Sequence, residues 1–368
     1  MSKPIRVVQW GLGYIGTPAI RYILDNPSLE LVGMKCFTPE KAGRTAGEIA
    51  GRAPGGVRAT QSVEEILALE ADCVLYMPRD AMSDPSIADS PSAAWVPDLL
   101  ALLESGKNVI SPIPSCTHWR HLQNGEELRD RFDAACARGN STLFFTGMDP
   151  GFNTDVLPFI LSSAVGSVNA IRTFEIIDYG AYTVEPVLRQ LGFGGELDHI
   201  QYAKPHFHAV WGGAIHVLAE ALGVTIDRIE VHCEGLVADE TYVSQGGMRI
   251  EAGKIAAYRF WVTGYVGDRA FIDIQHVTRM GHHLAPHWPT MGHDGGYRIE
   301  IDGFPPFQVD LLMGLRGGTG TSLDDAMTMT SARCVHAIPA VMRASPGYKT
   351  FLDLGIIGGR AAGVAGDE

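Results

Sequence analysis

The sequence lacks the features that mark membrane and secreted proteins. No uninterrupted apolar run reaches about 18 residues, the length that indicates a membrane-spanning helix. The first residues lead straight into a strand-like segment and contain no apolar core of a signal peptide. The six cysteines are scattered and include no CxxC pair, a pattern typical of reduced thiols. We therefore expect a cytoplasmic protein that does not bind membranes.

Positive charge is also scarce. The chain has 29 Lys and Arg against 42 Asp and Glu, and its formal net charge is -13. Because such a chain repels phosphate backbones, the composition argues against nucleic acid as a partner. The remaining composition is ordinary for a globular protein, with 46% hydrophobic and 19% charged residues over 368 positions. That length is enough for two domains, each with its own core.

A glycine-rich motif stands near the start of the chain. Segment 5–10 predicts a strand, 17–26 a helix and 29–37 a second buried strand. Between the first strand and the helix lie Gly11, Leu12, Gly13, Tyr14, Ile15 and Gly16. In this setting the first glycine permits a tight turn, the second lets the backbone approach a pyrophosphate, and the third allows close helix packing. The motif predicts a dinucleotide bound at the helix N-terminus.

The alternation of strands and helices continues to about residue 147. Helices are predicted over 62–69, 95–105 and 126–138, and strands over 71–77, 107–111 and 141–146. The first of these helices begins with a capping box formed by Ser62 and Glu65. The pattern predicts a Rossmann domain over 1–147, with a doubly wound parallel sheet whose ligand lies beyond the carboxyl ends of the strands. The further cofactor contacts that we expect there are Met77, Pro78, Arg79, Ser111 and Pro112.

The end of the second strand bears on the choice of cofactor. An acidic residue there would bind the ribose 2′-hydroxyl of NAD, but the expected place has none. Thr38, Lys41 and Arg44 can instead receive a 2′-phosphate, which favours NADP. Lys41 and Arg44 are equally consistent with solvated surface residues, so NAD remains an alternative.

The pattern changes after residue 147. Strand-like runs dominate segment 148–320 and predict an α+β substrate domain with a mainly antiparallel sheet. Segment 321–368 begins with a helix over about 323–344 and, by its position, is expected to return to the Rossmann domain. Because exposed faces of antiparallel sheets often pair across a twofold axis, we expect a homodimer.

Five segments together carry a family resemblance: RVVQWGLGYIG, SLELVGMKCFTPEKAGRTAGEIAG, GKNVIS, FTGMDPGFNTDVLP and CVHAIPAVMRASPGYKTFLDLG. The chain resembles the dihydrodipicolinate-reductase-like oxidoreductases, the group of 2,4-diaminopentanoate dehydrogenase and the native amine dehydrogenases. The resemblance covers almost the whole chain. It implies NAD(P)H in the N-terminal domain, an amine or ketone in the cleft between domains, and hydride transfer between them. It also implies an acidic side chain, just after the GKNV strand, that handles the proton on nitrogen.

The sequence departs from the family at that acidic position. The family's glutamate would fall near Pro114 and Ser115, yet no carboxylate lies between Glu104 and Glu126. Ser115 or His118 can relay a proton, although neither replaces a charge that binds ammonium. Three functions therefore stay open: amine dehydrogenation, reduction of a ketone or enone without ammonia, and a non-catalytic NAD(P) sensor.

Further candidates lie beyond the Rossmann segment. Asp149 follows a Rossmann strand and either faces the substrate or caps a turn, which makes Ser115, His118 and Asp149 the catalytic candidates. Glu175 and Asp178 are expected on opposite faces of a strand, so one of them can face the cleft, although each taken alone is more typical of a solvated strand residue. Two groups of histidines lack a convincing metal-ligand pattern, so we expect no metal. The first group is His206, His208 and His216, and the second, expected at a hairpin end and in a loop, is His276, His282, His283, His287 and His293.

Overall fold

A computed structural model describes residues 3–78, 95–292, 295–315 and 320–361. Its main elements form two sheets and the helices that cover them. The first sheet contains β1 (Ile5–Trp10), β2 (Leu29–Lys35), β3 (Ala59–Thr60), β4 (Cys73–Tyr76), β5 (Asn108–Ser111), β6 (Thr142–Phe145) and β15 (Gly347–Lys349). The second contains β7 (Val168–Asp178), β8 (Arg228–Val237), β11 (Ile255–Val266), β12 (Arg269–Arg279), β13 (Gly295–Gly303) and β14 (Phe307–Leu312). A short ribbon pairs β9 (Tyr242–Val243) with β10 (Arg249–Ile250).

The helices alternate with strands in the first half of the chain and separate them less regularly in the second. The first group is α1 (Gly16–Leu24), α2 (Ala46–Ala50), α3 (Val63–Ala68), α4 (Trp95–Glu104) and α5 (Gly125–Gly139). A π-helical segment, Met148–Val156, then leads into α6 (Leu157–Ser162), α7 (Glu185–Gln190), α8 (His199–Tyr202), α9 (Lys204–Ala221), α10 (Ser322–Arg343) and α11 (Phe351–Leu354). Among the described residues, no helix is long and apolar enough to cross a membrane.

The first sheet has the strand order β15-β6-β5-β4-β1-β2-β3, and its neighbouring strands are parallel. Val7, Val8 and Trp10 of β1 are fully buried, as expected for a parallel strand covered by helices on both faces. Because β1 lies between β2 and β4, the strand order reverses at β1, and a crevice opens beyond its carboxyl end. The predicted Rossmann fold is confirmed.

The second sheet has the strand order β14-β13-β7-β12-β11-β8. Its neighbouring strands are antiparallel, except for the parallel pair of β7 and β12. Gly267 and Asp268 form the turn of the β11–β12 hairpin, and Gly267 has the positive φ of 58° that a tight turn needs. The mainly antiparallel sheet that the strand-like runs predict is therefore confirmed.

The C-terminal segment joins the first sheet. Helix α10 packs on α1, and β15 extends the sheet next to β6. Buried Val335, Ile338 and Val341 of α10 belong to the same apolar core as β1 and α1. These contacts hold α10 against one face of the first sheet.

Local sequence signals account for several helix ends, with one correction. Ser62 accepts a hydrogen bond from the backbone N–H of Glu65, but its own backbone N–H donates to Thr60 Oγ1 rather than to the Glu65 side chain. The reciprocal half of the expected capping box is therefore absent at α3. Complete boxes form instead at α2, where Thr45 and Glu48 exchange hydrogen bonds, and at α11, where Thr350 and Asp353 do so.

Candidate active site

The glycine-rich turn forms a cradle between β1 and α1. A Cβ on Gly11 would lie 2.2 Å from the carbonyl oxygen of Met77, and one on Gly16 would lie 1.9 Å from that of Gly11. Gly11 also has a φ of 94°, which side chains other than glycine rarely adopt. Gly13 differs, since a Cβ there would meet no atom within 4 Å. The first and third glycines are thus required by packing, while the second borders open space.

The backbone of this turn is free to bind an anion. Among the described residues, the N–H groups of 12–16, which include Leu12, Tyr14 and Ile15, find no acceptor, and the first satisfied one is that of Thr17. Helix α1 has no side-chain cap and no acidic residue in its first turn. Free N–H groups and the positive end of a helix dipole together favour a phosphate. The residues present therefore fit the pyrophosphate of a dinucleotide.

The predicted 2′-phosphate residues lie beside this cradle. Thr38 precedes a short 3₁₀ helix, Pro39–Lys41. The ammonium of Lys41 donates to the carbonyl of Leu12 at 2.5 Å, so it sits directly against the glycine-rich turn. Arg44 is exposed and donates to the carbonyl of Glu48 at 3.3 Å. Lys41 is consequently the better placed of the two cations.

The other predicted cofactor contacts surround the same crevice. Met77 donates its N–H to the carbonyl of Trp10 at 2.7 Å, and Pro78 follows it. The fully buried hydroxyl of Ser111, at the end of β5, accepts from the N–H beyond Pro112 at 3.3 Å. Arg79 lies outside the described residues.

Two of the three catalytic candidates lie in the segment after β5. Ser115 is buried, and its hydroxyl lies 3.9 Å from the thiol of Cys116. His118 is fully buried, with Nδ1 accepting from the N–H of Arg120 at 3.1 Å and Nε2 facing Glu220 at 3.4 Å. Burial lowers the pKa of His118 to about 3, so the ring is neutral at neutral pH.

His118 belongs to a cluster formed where helix α9 meets the segment after β5. His121, His208 and His216 are its other members, with ring centroids 5.8 to 6.5 Å apart. Helix α9 reaches this segment through Gly212 and Gly213, where added Cβ atoms would lie 2.8 and 2.6 Å from the nearest side-chain atoms. Beside the cluster is a cavity of 720 Å³. Within the described parts of the chain, no group of three or more His, Cys, Asp or Glu is arranged to hold a metal ion.

Asp149, the third candidate, has different surroundings. It follows β6 in a non-helical turn at the start of the π-helical segment, and its side chain is 1% exposed. Its Oδ1 accepts from Trp211 Nε1 at 2.6 Å and contacts His276 Nε2 at 3.1 Å, and its Oδ2 accepts from Asn153 Nδ2 at 2.9 Å. Asp149 and His118 share no hydrogen-bond partner among the described residues. The structure therefore does not bring the catalytic candidates into one hydrogen-bonded set.

His276 connects Asp149 to a second carboxylate. Its Nδ1 lies 3.3 Å from Glu175 Oε1, which also accepts from the hydroxyl of Tyr179 at 3.3 Å. His276 on β12 pairs in register with Glu175 on β7 and with Phe260 on β11, so the three side chains share a sheet face. The Phe260 ring stacks on the imidazole at 4.7 Å.

These positions correct three expectations. Glu175 and Asp178 are not solvated, because their side chains are only 13% and 9% exposed. Glu175 is covered by the hydrogen-bonded network, and Asp178 accepts from the N–H of Gly180 at 2.7 Å. His276 lies inside β12 rather than at a hairpin end, since β11 and β7 pair with that strand on both sides.

The network holds a positive charge between two carboxylates. Burial by itself lowers the pKa of His276, but the charges of Asp149 and Glu175 and their hydrogen bonds outweigh it and raise that pKa to about 10. His276 is therefore an imidazolium at neutral pH. Both of its N–H groups then donate, one to each carboxylate.

Helix α10 and two tyrosines place this network beside the dinucleotide cradle. The hydroxyl of Ser331 donates to the carbonyl of Ile15 at 2.6 Å, and that of the adjacent Thr330 accepts from the N–H of Met148 at 3.3 Å. Tyr14 of the cradle contacts Tyr182 edge-to-face at 5.8 Å. One helix thus touches both the glycine-rich turn and the residue that precedes Asp149.

Sequence comparisons agree with this architecture. The family model of the 2,4-diaminopentanoate dehydrogenase C-terminal domain matches residues 152–365. A Streptomyces virginiae protein named amine dehydrogenase is 34% identical over 360 residues, which cover 95% of this chain and 96% of that protein. The chain belongs to the 2,4-diaminopentanoate dehydrogenase family. It is therefore an oxidoreductase.

A more distant relative resembles the chain in sequence, and two solved structures resemble it in fold. The 2,4-diaminopentanoate dehydrogenase of Acetoanaerobium sticklandii is 22% identical over 367 residues, 96% of this chain and 94% of that protein. The structure of amine dehydrogenase from Mycobacterium smegmatis superposes with a TM-score of 0.76 at 18% identity and covers 97% of both chains. Scyllo-inositol dehydrogenase from Lactobacillus casei gives a TM-score of 0.55 at 15% identity, over 92% of this chain and 89% of that one. These likenesses extend over both sheets.

The sequence alone did not indicate the pair of Glu175 and His276. About 100 residues separate them, and only the parallel pairing of β7 with β12 makes them neighbours. The available signal was weak: each is the single ionisable residue on the inward-facing side of its strand.

Proposed function

We propose that this oxidoreductase uses NAD(P) to interconvert a small, largely apolar amine and the corresponding ketone, with Asp149 as the group that handles protons on nitrogen. Asp149 stands at the carboxyl end of a Rossmann strand, where ligands of such sheets bind. Its carboxylate takes the role that the family's glutamate, missing near Pro114 and Ser115, would have. The name of the Streptomyces virginiae relative agrees with this substrate class.

One observation carries the choice of an amine. Oδ1 of Asp149 is engaged by Trp211 and His276, whereas within the described part of the chain Oδ2 is engaged by Asn153 alone and keeps a lone pair. Oδ1 of Asn153 is buried and has no partner among the described residues. The uncommitted polar atoms of the cluster are thus acceptors. Acceptors suit ammonium or an amine, which donate, better than a ketone oxygen.

The chain's own residues supply binding and proton transfer. The N–H groups of 12–16 would hold the pyrophosphate of NAD(P), which would supply hydride-transfer chemistry when bound. Asp149 binds ammonium at Oδ2, accepts one of its protons, and returns that proton to the hydroxyl that leaves as water. Trp211 and His276 fix Oδ1, so Oδ2 keeps a constant orientation during these steps.

We propose NADP as the preferred cofactor and NAD as the alternative. Lys41 lies against the glycine-rich turn, Thr38 and Arg44 are nearby, and β2 does not end in an acidic residue. A 2′-phosphate would bring two negative charges close to Lys41. Direct comparison of the two reduced cofactors tests this preference.

Ser115 and His118 remain predicted proton relays, and the geometry favours Asp149 over both. A neutral His118, whose Nδ1 already accepts from Arg120, can only donate through Nε2, and that atom faces Glu220. The missing glutamate still favours a second function, ketone reduction without ammonia. In that reaction a protonated Asp149 would donate to the carbonyl oxygen.

A homodimer through the second sheet is part of the proposal. The face opposite His276 carries the cross-strand ion pairs Arg172–Glu300, Arg298–Asp310 and Arg259–Glu234. A face with paired charges and partly exposed Trp261 suits a polar, self-complementary interface. Light scattering after size-exclusion chromatography distinguishes a dimer of about twice 39.7 kDa from a monomer.

The test of function is oxidation of NADPH or NADH, followed at 340 nm, with a panel of apolar ketones in the presence and absence of ammonia. The proposal requires turnover that depends on ammonia. Equal turnover without ammonia would identify a carbonyl reductase. Tight cofactor binding with no turnover on any ketone would support the non-catalytic sensor.

A further inference from the structure

His276 is the one described cation in hydrogen-bonding contact with Asp149 or Glu175. It bridges them, with Nε2 3.1 Å from Asp149 and Nδ1 3.3 Å from Glu175. We infer that Glu175 is a positioning residue that keeps His276 doubly protonated, and that His276 is the proton reservoir from which Asp149 is recharged. This inference rests on the proposed role of Asp149.

Neighbouring strands of the second sheet hold Glu175 rigidly. It lies in the middle of β7, in register with His276 on one side and with Tyr297 on the other. The hydroxyl of Tyr179 donates to the same Oε1 that faces the imidazole. A carboxylate held by neighbouring strands fixes the ring more firmly than one on a loop.

The other ionisable groups nearby do not compete for the proton. Tyr179, Tyr258 and Tyr297 face Glu175, and burial followed by the charge of Glu175 raises each pKa well above its ordinary range, so they stay protonated. On the side of Asp149 the next group is Asp155. Burial raises its pKa to about 7, and Arg333 is the cation that faces it. Among these neighbours, only the imidazolium has a proton to give in direct contact with Asp149.

The proton balance of reductive amination requires such a source. Ammonium, a ketone and a hydride together give a neutral amine and water, with the proton that Asp149 takes from ammonium leaving in the water. Release of the product as an ammonium ion needs one more proton. His276 gives its Nε2 proton to Asp149, which passes it to the amine nitrogen. His276 is then neutral. Its Nδ1–H still donates to Glu175, and its Nε2 regains a proton from solvent.

The first experiment observes His276 without any turnover. In protein labelled with ¹⁵N-histidine and assigned by comparison with His276→Gln, both ring nitrogens should show imidazolium shifts at pH 8. Glu175→Gln should convert the ring to a neutral form at that pH. A neutral His276 in the wild-type protein at pH 8 would overturn the inference, whatever Glu175→Gln does.

The second experiment uses the pH profile of kcat for ammonia-dependent reduction. Glu175→Gln should move the alkaline limb down by at least one pH unit and lower kcat about tenfold at pH 9, with a smaller effect at pH 7. Glu300→Gln is the matched control, because Glu300 lies on the opposite face of the same sheet and pairs with Arg172. It should leave the limb in place.

The outcomes separate this inference from the proposed function. A uniform loss of kcat in Glu175→Gln, with an unmoved alkaline limb, would show that Glu175 only supports the fold and would contradict the inference. Absence of ammonia-dependent turnover in the wild type would instead contradict the proposed function, and the ¹⁵N shifts would still report whether Glu175 holds His276 as an imidazolium.

Discussion

Trp211 on α9 donates its indole N–H to Asp149 Oδ1 at 2.6 Å, and this bond joins the helix that packs on the second sheet to the carboxyl end of β6. The same helix contacts the segment after β5 through Gly212 and Gly213. Helix α9 thereby fixes two neighbouring loops at the crevice of the first sheet. Loss of the indole N–H should disturb the Asp149 network without disturbing the cofactor cradle.

Trp211→Phe tests this connection. The phenyl ring preserves much of the packing on Phe207 and Phe260, but Asp149 Oδ1 loses one of its two donors. We expect kcat to fall about tenfold and the free energy of unfolding by about 1–3 kcal/mol, with unchanged cofactor affinity. Steady-state kinetics and urea unfolding measure both effects. Trp261→Phe, on the other sheet face, is the control, and an equal loss of kcat there would remove the special role of Trp211.

Gly13→Ala separates cofactor binding from folding. A Cβ at Gly13 meets no protein atom within 4 Å, but it would enter the space where the pyrophosphate binds. We expect the Kd for NADPH, measured by fluorescence titration, to rise at least tenfold while the melting temperature stays within a few degrees. Gly16→Ala should instead lower the melting temperature, because its Cβ would overlap the carbonyl of Gly11. Wild-type affinity in Gly13→Ala would place the pyrophosphate elsewhere.

Lys41→Ala addresses the choice between NADP and NAD. Removal of a cation beside the glycine-rich turn should weaken NADPH binding about tenfold and NADH binding much less, since only NADPH carries the 2′-phosphate. The ratio of the two Kd values is the measurement. Arg58→Ala is the control, because Arg58 is an exposed cation whose side chain donates to the carbonyl of Gly43 and not to the glycine-rich turn. An equal loss of affinity for both cofactors would mean that Lys41 stabilises the glycine-rich turn and does not bind the 2′-phosphate.

The buried histidine cluster should make the fold sensitive to acid. Burial lowers the pKa of His118 and His121 to about 3 and that of His216 to about 4, against 6.5 for the ordinary side chain. Since the unfolded chain binds these protons first, their contribution to stability is complete above about pH 6.5 and is lost as the pH falls toward 4. The contribution of His276 to stability depends on pH in the opposite direction. It is complete below about pH 6.5 and is lost as the pH rises through 10.

Urea unfolding between pH 7 and pH 4 measures the acid effect. Each buried neutral histidine adds up to about 1.4 kcal/mol per pH unit to the slope of the unfolding free energy. His216→Gln should reduce the slope by up to that amount, whereas His287→Gln, outside the cluster, should not change it. An identical slope in His216→Gln would show that His216 binds its proton as readily in the folded protein as in the unfolded chain.

Much of the fold follows from the sequence because its signals are local. The glycine-rich turn, the buried strands of the first sheet and the strand-like runs of the second each depend on residues within about ten positions. Asp149 was also within reach of sequence reasoning, because ligand sites of parallel sheets lie where strands end. The structure places it after β6, as the strand pattern predicts.

The hydrogen-bond partners of Asp149 could not be predicted from local sequence signals. Trp211 and His276 are about 60 and 130 residues away, and their contacts depend on the register of the second sheet and on how α9 crosses it. Glu175 looked like a solvated strand residue because alternation gives the face of a side chain but not what covers that face. The His118 cluster similarly depends on the close approach that Gly212 and Gly213 permit.

The most direct test of the account is the rate of ammonia-dependent ketone reduction by Asp149→Asn, with Asp310→Asn as an exposed control on β14. The asparagine keeps the shape of the side chain but cannot accept a proton from ammonium. The account predicts a loss of kcat of at least about 100-fold in Asp149→Asn, with unchanged affinity for NADPH and an unaffected control. Ammonia-dependent turnover at the wild-type rate in Asp149→Asn would contradict it.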